Sequence, residues 1–263
     1  MDDNGTINGV KRVADLIKHE TRKWFEHEAG YADFKDAKAV VGISGGKDSS
    51  VVAALLANVL GPENVYGVMM PKHVQLDIGD SSSLCSFLGI KSYVVNIGSM
   101  IDDTLEKVVA VLPGVHVENK QVKTNLPARI RMSVLYTFAQ SINGRVIGTG
   151  NFSESLMGYT TLWGDSVCDF NPIKGLFVDE VIAVGDALGL PERFTRKPPN
   201  DGMSGKTDEE NLGFTYDAVK HWWLDEFDRG RATTFDKDNP IYKRYKSQEF
   251  KRRLLQNIPG VEL

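Results

Sequence analysis

The fold is decided by one stretch, Ala39-Val40-Val41-Gly42-Ile43-Ser44-Gly45-Gly46-Lys47-Asp48-Ser49-Ser50, which continues into Val51-Val52-Ala53-Ala54-Leu55-Leu56. A short apolar run ends abruptly in small and polar residues, and a second apolar run with helical character follows. This order predicts a buried strand, a tight loop and a helix. The glycines let a ligand approach the backbone, the serines add hydroxyl donors, and the new helix presents unpaired N–H groups. The stretch therefore predicts a phosphate-binding loop.

The spacing of this loop separates it from two common phosphate loops. A Walker A loop needs Ser or Thr after Gly-Lys and a glycine five positions earlier, but Asp48 follows Gly46-Lys47 and Val41 stands at the earlier position. The glycines also miss the Gly-x-Gly-x-x-Gly spacing of dinucleotide loops. The loop is similar to Ser-Gly-Gly-x-Asp-Ser, the pyrophosphate loop of enzymes that split ATP into AMP and pyrophosphate. A carboxylate at Asp48 suits a magnesium ion that bridges the phosphates.

Strands and helices alternate from residue 38 to residue 150, with further strands predicted near 64–71, 91–97 and 144–150. This alternation predicts an α/β fold with a doubly wound, mostly parallel sheet and helices on both faces. Ligands bind at the carboxyl ends of such strands, where Ser44, Met70 and Thr149 stand. A long helix is predicted over 125–142, with Pro127 near its start.

The whole chain, 1–263, is expected to form a single domain. Its predicted parts are an N-terminal helix over 10–28, an α/β core over 38–190, and a C-terminal loop and helical segment over 191–263.

Composition narrows the class of protein. Hydrophobic residues make up 41% of the 263 residues and the net charge is −4, so the sequence predicts a globular protein with no broad basic surface for nucleic acid. The first 28 residues lack an uninterrupted apolar core, which argues against a signal peptide or a membrane span. The two cysteines, Cys85 and Cys168, have no metal-site spacing and are expected to be reduced thiols in a cytoplasmic protein.

A second motif, Gly148-Thr149-Gly150-Asn151-Phe152-Ser153-Glu154, follows the last predicted strand. Together with Asn125-x-x-Ala128-Arg129-x-Arg131-Met132 upstream and the run 198–216 downstream, which includes 207–216, it resembles ammonia-dependent NAD synthetase. The resemblance covers roughly residues 10 to 255. It implies the fold of the adenine nucleotide alpha hydrolases, and an enzyme that condenses ammonia with the nicotinate carboxylate of deamido-NAD. ATP first transfers AMP to that carboxylate, pyrophosphate leaves, and ammonia then displaces AMP.

The resemblance also implies roles for individual residues of this chain. The positions implied to bind ATP are Gly42, Ile43, Ser44, Gly45, Gly46, Lys47, Asp48, Ser49, Gln75, Thr149 and Asn200. The positions implied to bind deamido-NAD are Arg129, Asp169 and Lys251. Asp48 and Glu154 are implied to hold Mg²⁺, and Asp48 and Asp165 to be catalytic, with Asp165 attracting ammonium and taking up its proton.

Structural explanations remain open at three of these positions. Thr149 could serve packing alone, Gln75 could be a free surface amide, and Arg129 could belong to an ion pair on a helix surface. A homodimer is also implied, and the apolar helix around Met132, Val134, Leu135 and Phe138 could supply its interface, although core packing explains the same residues.

Five positions depart from the family pattern. Leu162 and Val178 stand where many members have a lysine, Asn200 replaces a serine or threonine, and Phe250 replaces a histidine. The loss of two cations beside polyanionic ligands is expected to weaken binding unless another charge replaces them. Lys47, at a commonly uncharged position, is our candidate for that replacement.

Two alternative functions remain at this stage. One is a related AMP-forming enzyme that amidates another carboxylate or thiolates a tRNA base, although neither cysteine suits thiolation. The other is a regulator that binds ATP without cleaving it. No glutaminase module is expected within the chain, so ammonia would be free or delivered by a separate protein.

Overall fold

A parallel sheet of four strands forms the centre of the computed structural model, which describes residues 3–73, 78–112, 114–196, 207–225 and 236–252. The strands are β1 (Ala39–Gly42), β2 (Val65–Met69), β3 (Lys91–Val94) and β4 (Arg145–Ile147). They lie in the order β3-β2-β1-β4, and Ala39 pairs with Val65 on one side and with Arg145 on the other.

Helices connect the strands and continue beyond the sheet. They are α1 (Asp3–His27), α2 (Lys47–Leu60), α3 (Ile78–Leu88), α4 (Gly98–Val111), α5 (Lys120–Ser141), α6 (Phe152–Met157), α7 (Val178–Ala187), α8 (Glu192–Thr195), α9 (Asp208–Leu212), α10 (Tyr216–Trp223), α11 (Pro240–Ser247) and α12 (Glu249–Arg252). Among the described residues, none of these helices combines the length and apolarity that a membrane crossing requires.

The sheet is covered on both faces because successive side chains of a strand point to opposite sides. Val41 packs into a core built with α1, α2 and α7, whereas its neighbour Val40 packs into a second core under α4 and α5. Both valines are fully buried. These two cores confirm the predicted α/β fold with helices on both faces of a parallel sheet.

The strand order creates the crevice in which the candidate active site lies. The chain leaves β1 through α2 to reach β2 on one side, and it returns on the other side of β1 to form β4. In a doubly wound sheet, the loops at such a switch point diverge and leave an opening at the carboxyl ends of the strands. The loop after β1 and the loop after β4 therefore face each other across this opening.

A third apolar cluster attaches the C-terminal helices beside the crevice. Leu156 and Met157 of α6 pack with buried side chains of α10 and α11, among them Trp222 and Ile241. The guanidinium of Arg244 also donates to the carbonyl of Met157 at 2.9 Å. The C-terminal segment is thus fixed to α6, the helix that begins at the second motif.

Two predicted helix boundaries were wrong. Helix α5 begins at Lys120, because Asn119 caps it by accepting a hydrogen bond from the Gln121 N–H at 2.8 Å. Pro127 consequently lies inside α5 rather than near its start. Helix α1 begins at Asp3 instead of residue 10.

Candidate active site

The loop after β1 is shaped by glycine and by its own serines. Gly45 has a φ of +79°, and a Cβ at this position would lie 3.1 Å from the hydroxyl of Ser81, so a side chain is doubly disfavoured. The Ser44 and Ser49 hydroxyls lie 3.2 Å apart, and the Gly46 N–H donates to the Ser44 hydroxyl at 3.3 Å. These contacts hold the backbone in a turn at the N-terminus of α2, where the helix dipole favours an anion.

A cavity of about 140 Å³ lies where this loop meets the loop after β4. Its lining residues come from the two motifs recognised in the sequence and from the loop that follows them: Ser44, Gly46, Asp48, Ser49, Thr149, Gly150, Glu154 and Asp165. Seven of these eight were predicted site residues, Gly150 being the exception. The fold therefore brings together positions that are more than a hundred residues apart in the chain.

Asn151 joins the two sides of the cavity. Its side-chain oxygen accepts from the Glu154 N–H at 3.0 Å, while the Glu154 carboxylate accepts from the Asn151 N–H at 3.0 Å, so the pair forms the capping box of α6. The Asn151 amide also donates to Asp48 at 3.1 Å. This fully buried residue was not predicted as a site residue, although the Asn-x-x-Glu spacing of a capping box was present in the sequence.

The cavity concentrates negative charge. Burial raises the pKa of the Glu154 carboxyl, and the neighbouring Asp48 raises it further, while Lys47 opposes the shift. The Lys47 ammonium donates to the second carboxylate oxygen of Asp48 at 2.9 Å. Two carboxyl groups from opposite loops thus share one small space, and when both are ionised they repel each other unless a cation stands between them.

This donor set fits Mg²⁺ when a nucleotide supplies the remaining ligands. The described residues contain no group of three or more His, Cys, Asp or Glu side chains arranged to hold a metal. Mg²⁺, however, is commonly bound by one or two carboxylates together with substrate phosphates and water, rather than by a cage of protein ligands. Asp48 and Glu154 are hard oxygen donors beside a phosphate loop, which meets that requirement.

Asp208 is a further carboxylate at this site that the sequence analysis did not assign to it. It is the first residue of α9, and it accepts a hydrogen bond from the Tyr216 hydroxyl at 3.4 Å. Burial raises its pKa, and the positive charge of Lys47 lowers it. The run 207–216 carried the only signal for it, because that run belonged to the family resemblance.

Asp165 lines the same cavity. Its carboxylate accepts from the Thr161 N–H at 2.7 Å, and Thr161 is tied in turn to Asn125 of α5 by a hydrogen bond of 3.0 Å. The cations of Arg131 and Lys251 lie close enough to interact with it electrostatically. The carboxylate is thus held in place while it remains open to the cavity.

The three residues predicted to bind deamido-NAD lie outside the lining of this cavity. Arg129 is exposed and donates to the carbonyl of Leu162 at 3.3 Å. Asp169 accepts from the Tyr136 hydroxyl at 3.1 Å. Lys251 donates to the carbonyls at 158 and 160, at 2.8 and 2.7 Å.

The remaining predicted ATP residues divide into three cases. Gly42 ends β1, and Ile43 buries its side chain in the core while its N–H donates to Val68 at 2.9 Å, so both extend the strand towards the loop. Lys47 contacts Asp48 through its ammonium group. Gln75 and Asn200 lie outside the described residues.

Comparison with known proteins identifies the family. Residues 18–255 match the family described as NAD synthase. The NH(3)-dependent NAD(+) synthetase of Methanococcoides burtonii is 43% identical over 184 residues, which are 69% of this chain and 68% of the relative. The chain is a member of the NAD synthase family. This confirms the resemblance, and with it the fold expected of the family.

Two solved structures extend the likeness to three dimensions. The NH3-dependent NAD synthetase of Campylobacter jejuni superposes with a TM-score of 0.70 at 28% identity, covering 98% of this chain and all of the other. The NMN synthetase of Francisella tularensis superposes with a TM-score of 0.76 at 27% identity, covering 94% and 99%. The family fold therefore spans nearly the whole chain.

Within the family, the departures noted in the sequence occupy defined places. The Val178 N–H donates to the Ser153 hydroxyl at 3.4 Å, which sets the start of α7 beside the start of α6. Phe250 is 52% exposed. Lys47, in contrast, is 7% exposed and lies among the carboxylates of the cavity.

Proposed function

We propose that this NAD synthase family member amidates the nicotinate carboxylate of deamido-NAD with ammonia, consuming ATP and producing NAD, AMP and pyrophosphate. One observation carries the proposal. The phosphate loop after β1, the carboxyl groups of Asp48 and Glu154, and Asp165 line one cavity at the switch point of the sheet. A free carboxylate is a poor acyl donor, so activation by ATP has to precede the attack of ammonia.

The reaction has two chemical steps, adenylation of the carboxylate and displacement of AMP by ammonia. A nicotinate carboxylate oxygen attacks the α-phosphorus of ATP, and the bond from that phosphorus to the oxygen shared with the β-phosphate breaks, so that pyrophosphate leaves with the electron pair. Ammonia then attacks the carbonyl carbon of the mixed anhydride, and AMP leaves with its electron pair. Both steps need positioning and charge neutralisation more than side-chain nucleophiles.

The phosphate loop supplies the positioning. The backbone at Ser44–Gly46 and the N-terminus of α2 receive the phosphates, and the Ser49 hydroxyl, 3.0 Å from the Gly46 carbonyl, stands beside them. Asp48 and Glu154 would hold Mg²⁺, which would supply positive charge to neutralise the departing pyrophosphate. Gly42 and Ile43 fix the direction in which the loop leaves β1.

Asp165 is proposed to serve the second step. A carboxylate held by the Thr161 N–H attracts ammonium and accepts the proton released as the C–N bond forms. Thr149 borders the same cavity and is proposed to contact ATP. Gln75 and Asn200 are proposed for the nucleotide on the family resemblance alone.

Arg129, Asp169 and Lys251 are proposed to bind deamido-NAD beside this cavity. Arg129 and Lys251 add positive charge on the side of Asp165, where a dinucleotide carrying two phosphates would lie. These two cations already donate hydrogen bonds to carbonyls of the 158–162 segment, Arg129 to one and Lys251 to two. The same two residues therefore shape that segment and offer positive charge to the substrate.

We further propose a homodimer. The strand β3 forms an edge of the sheet with all four residues exposed, and Tyr93 and Val94 on it, with Met100 of α4, are large exposed apolar side chains. The α5 residues Val134, Leu135 and Phe138 pack partly against the second core, so core packing accounts for much of their apolarity. Sedimentation at micromolar concentration tests the proposal, and a monomer would refute it.

We place the enzyme in the cytoplasm, where Cys85 and Cys168 stay as free thiols.

The reaction itself is tested with purified protein, magnesium, ATP, ammonium and deamido-NAD, followed by separation of the nucleotides. We expect NAD and AMP in equal amounts. AMP without NAD would move the reaction to another carboxylate, and bound ATP without turnover would favour a regulator.

A second candidate is the same amidation on the mononucleotide, with NMN as product. It is favoured by the TM-score of 0.76 to the NMN synthetase of Francisella tularensis. The two candidates differ in the acceptor alone, so a competition assay with equal concentrations of both acceptors and limiting ATP decides between them. We expect NAD to dominate, and an excess of NMN would reverse the order of the candidates.

A further inference from the structure

Lys47 occupies an unusual place for a lysine. It is the first residue of α2, where the positive end of the helix dipole disfavours a cation, and its side chain is 8% exposed. Its ammonium donates to Asp48 at 2.9 Å, although adjacent residues on a helix do not normally face each other. The side chain therefore folds back towards the Asp48 carboxylate instead of extending into solvent.

Carboxylates from three elements explain this position. Burial works against the ammonium, yet the pKa of Lys47 is raised, because Asp48 of α2, Glu154 of α6 and Asp208 of α9 surround it with negative charge. An isolated buried ammonium would be strongly unfavourable. Lys47 is thus the counter-ion of a cluster assembled from distant parts of the chain.

We propose that the Lys47 ammonium is an internal counter-cation, which holds the place of the divalent cation at Asp48 in the nucleotide-free protein and moves to the phosphates when magnesium and ATP bind. The inference rests on the proposed function, because it takes Asp48 and Glu154 as the metal ligands. It also accounts for the valine at position 178, since the displaced ammonium supplies the phosphates with a positive charge.

The physical basis is competition between like charges for one carboxylate. An ammonium 2.9 Å from an Asp48 oxygen and a divalent cation on the same carboxylate would repel each other strongly in a cavity of low dielectric. The bare cation must therefore displace Lys47, whereas magnesium with ATP offers the ammonium a new anionic partner. Removal of the ammonium should strengthen binding of the bare cation and weaken binding of the nucleotide, and these effects have opposite signs.

The test measures Mn²⁺ binding to the nucleotide-free protein by electron paramagnetic resonance, which does not depend on catalysis. We expect Lys47→Gln to lower the Kd for Mn²⁺ about tenfold. The same variant should raise the Kd for a non-hydrolysable ATP analogue with magnesium by about tenfold.

The matched control is Lys220→Gln. Lys220 also faces two carboxylates, with its ammonium 2.5 Å from Asp179 and 3.2 Å from Glu180, but it lies on α10 and neither of these carboxylates lines the cavity. This substitution changes the net charge of the protein by the same amount. We expect it to leave both dissociation constants unchanged, which would assign the effect of Lys47→Gln to its position.

A second pair of variants guards against local damage to the loop. Lys47→Arg keeps the charge and should keep the weak Mn²⁺ binding of the wild type, while the double variant Lys47→Gln with Asp48→Asn should lose the gained affinity. An unchanged or weaker affinity of folded Lys47→Gln for Mn²⁺ overturns the inference. Failure of the wild type to make NAD would instead refute the proposed reaction, and this Mn²⁺ result does not depend on that assay.

Discussion

The two sides of the candidate site are built differently. The proposed ATP side is a small cavity whose groups come from the loops after β1 and β4, and its polar residues contact one another, as Asp48 does with Lys47 and Asn151. The dinucleotide side is open, and its cations, Arg129 and Lys251, contact backbone carbonyls of one segment. On the proposed roles, the first side is preorganised for phosphates and a metal, whereas the second shapes a surface that the substrate has to complete.

This contrast predicts where substitutions act. Changes to the phosphate loop and its proposed metal ligands should reduce the rate of the first chemical step, because they remove charge that is present before the substrate binds, whereas a change at Asp165 in the same cavity should act on the second step. Changes on the dinucleotide side should act mainly on the KM for deamido-NAD. A variant on one side that changes the parameter assigned to the other side would contradict this distinction.

Asp48→Asn should have the largest effect. It removes one of two proposed metal ligands while its shape and its contact with the Asn151 amide can be retained, so kcat should fall about a thousandfold. The measurement is the rate of AMP release with saturating magnesium and ATP. Asp103→Asn, which changes an exposed carboxylate on α4, is the control, and similar losses in both variants would contradict the assignment.

The ATP side was also the more predictable from sequence. Its loop is encoded by consecutive residues, such as the glycine at 45 that the left-handed turn requires, and the strand order brings Thr149 and Glu154 opposite it. Such local rules work because backbone conformation and sheet topology have few solutions.

The missed residues depend on packing between distant segments. Asp208 reaches Lys47 because α9 and α10 lie beside α6, and that placement depends on an apolar cluster formed with Trp222 rather than on any local pattern. Asn151 carried a local signal for a helix cap, but its contact with Asp48 spans 103 residues. The early start of α5 at Lys120 was missed because the cap at Asn119 outweighs the proline inside the helix.

Asp165→Asn should have the next largest effect, and it should act on ammonia. Asparagine can still accept from the Thr161 N–H but cannot take up a proton, so kcat/KM for ammonium should fall about a hundredfold. The KM for ATP should stay within the error of the wild type. Rates are measured over a series of ammonium concentrations at fixed pH. An equal loss for ATP and ammonium would mean that Asp165 supports the phosphate loop rather than the second step.

Lys251→Met should have a smaller effect, confined to the open side. It removes two hydrogen bonds to the carbonyls at 158 and 160 together with a positive charge, and we expect the KM for deamido-NAD to rise about tenfold with little change in the KM for ATP. Lys251→Arg should recover part of the affinity, because it restores the charge. A variant that loses ATP affinity instead would show that the two sides are one unit.

The last prediction concerns stability and pH rather than rate or affinity, and it isolates the cost of placing two carboxyl groups in one cavity. Burial and the neighbouring Asp48 raise the pKa of Glu154 from 4.5 to about 8, so the folded protein holds a proton that the unfolded chain has already released between these values. The free energy of unfolding should therefore fall as the pH rises from about 5 to 8 in the absence of nucleotide. Magnesium with ATP should remove the decline, because the bound cation favours the ionised carboxylate. Urea unfolding across this range, compared with Glu154→Gln, gives the measurement, and the variant should show a flatter profile because its amide does not titrate. The control is Glu106→Gln at an exposed position, whose unfolding free energy should vary with pH as the wild type does. A wild-type free energy of unfolding that rises with pH relative to that of Glu154→Gln would contradict the prediction. It would mean that Glu154 and Asp48 do not repel each other in the cavity.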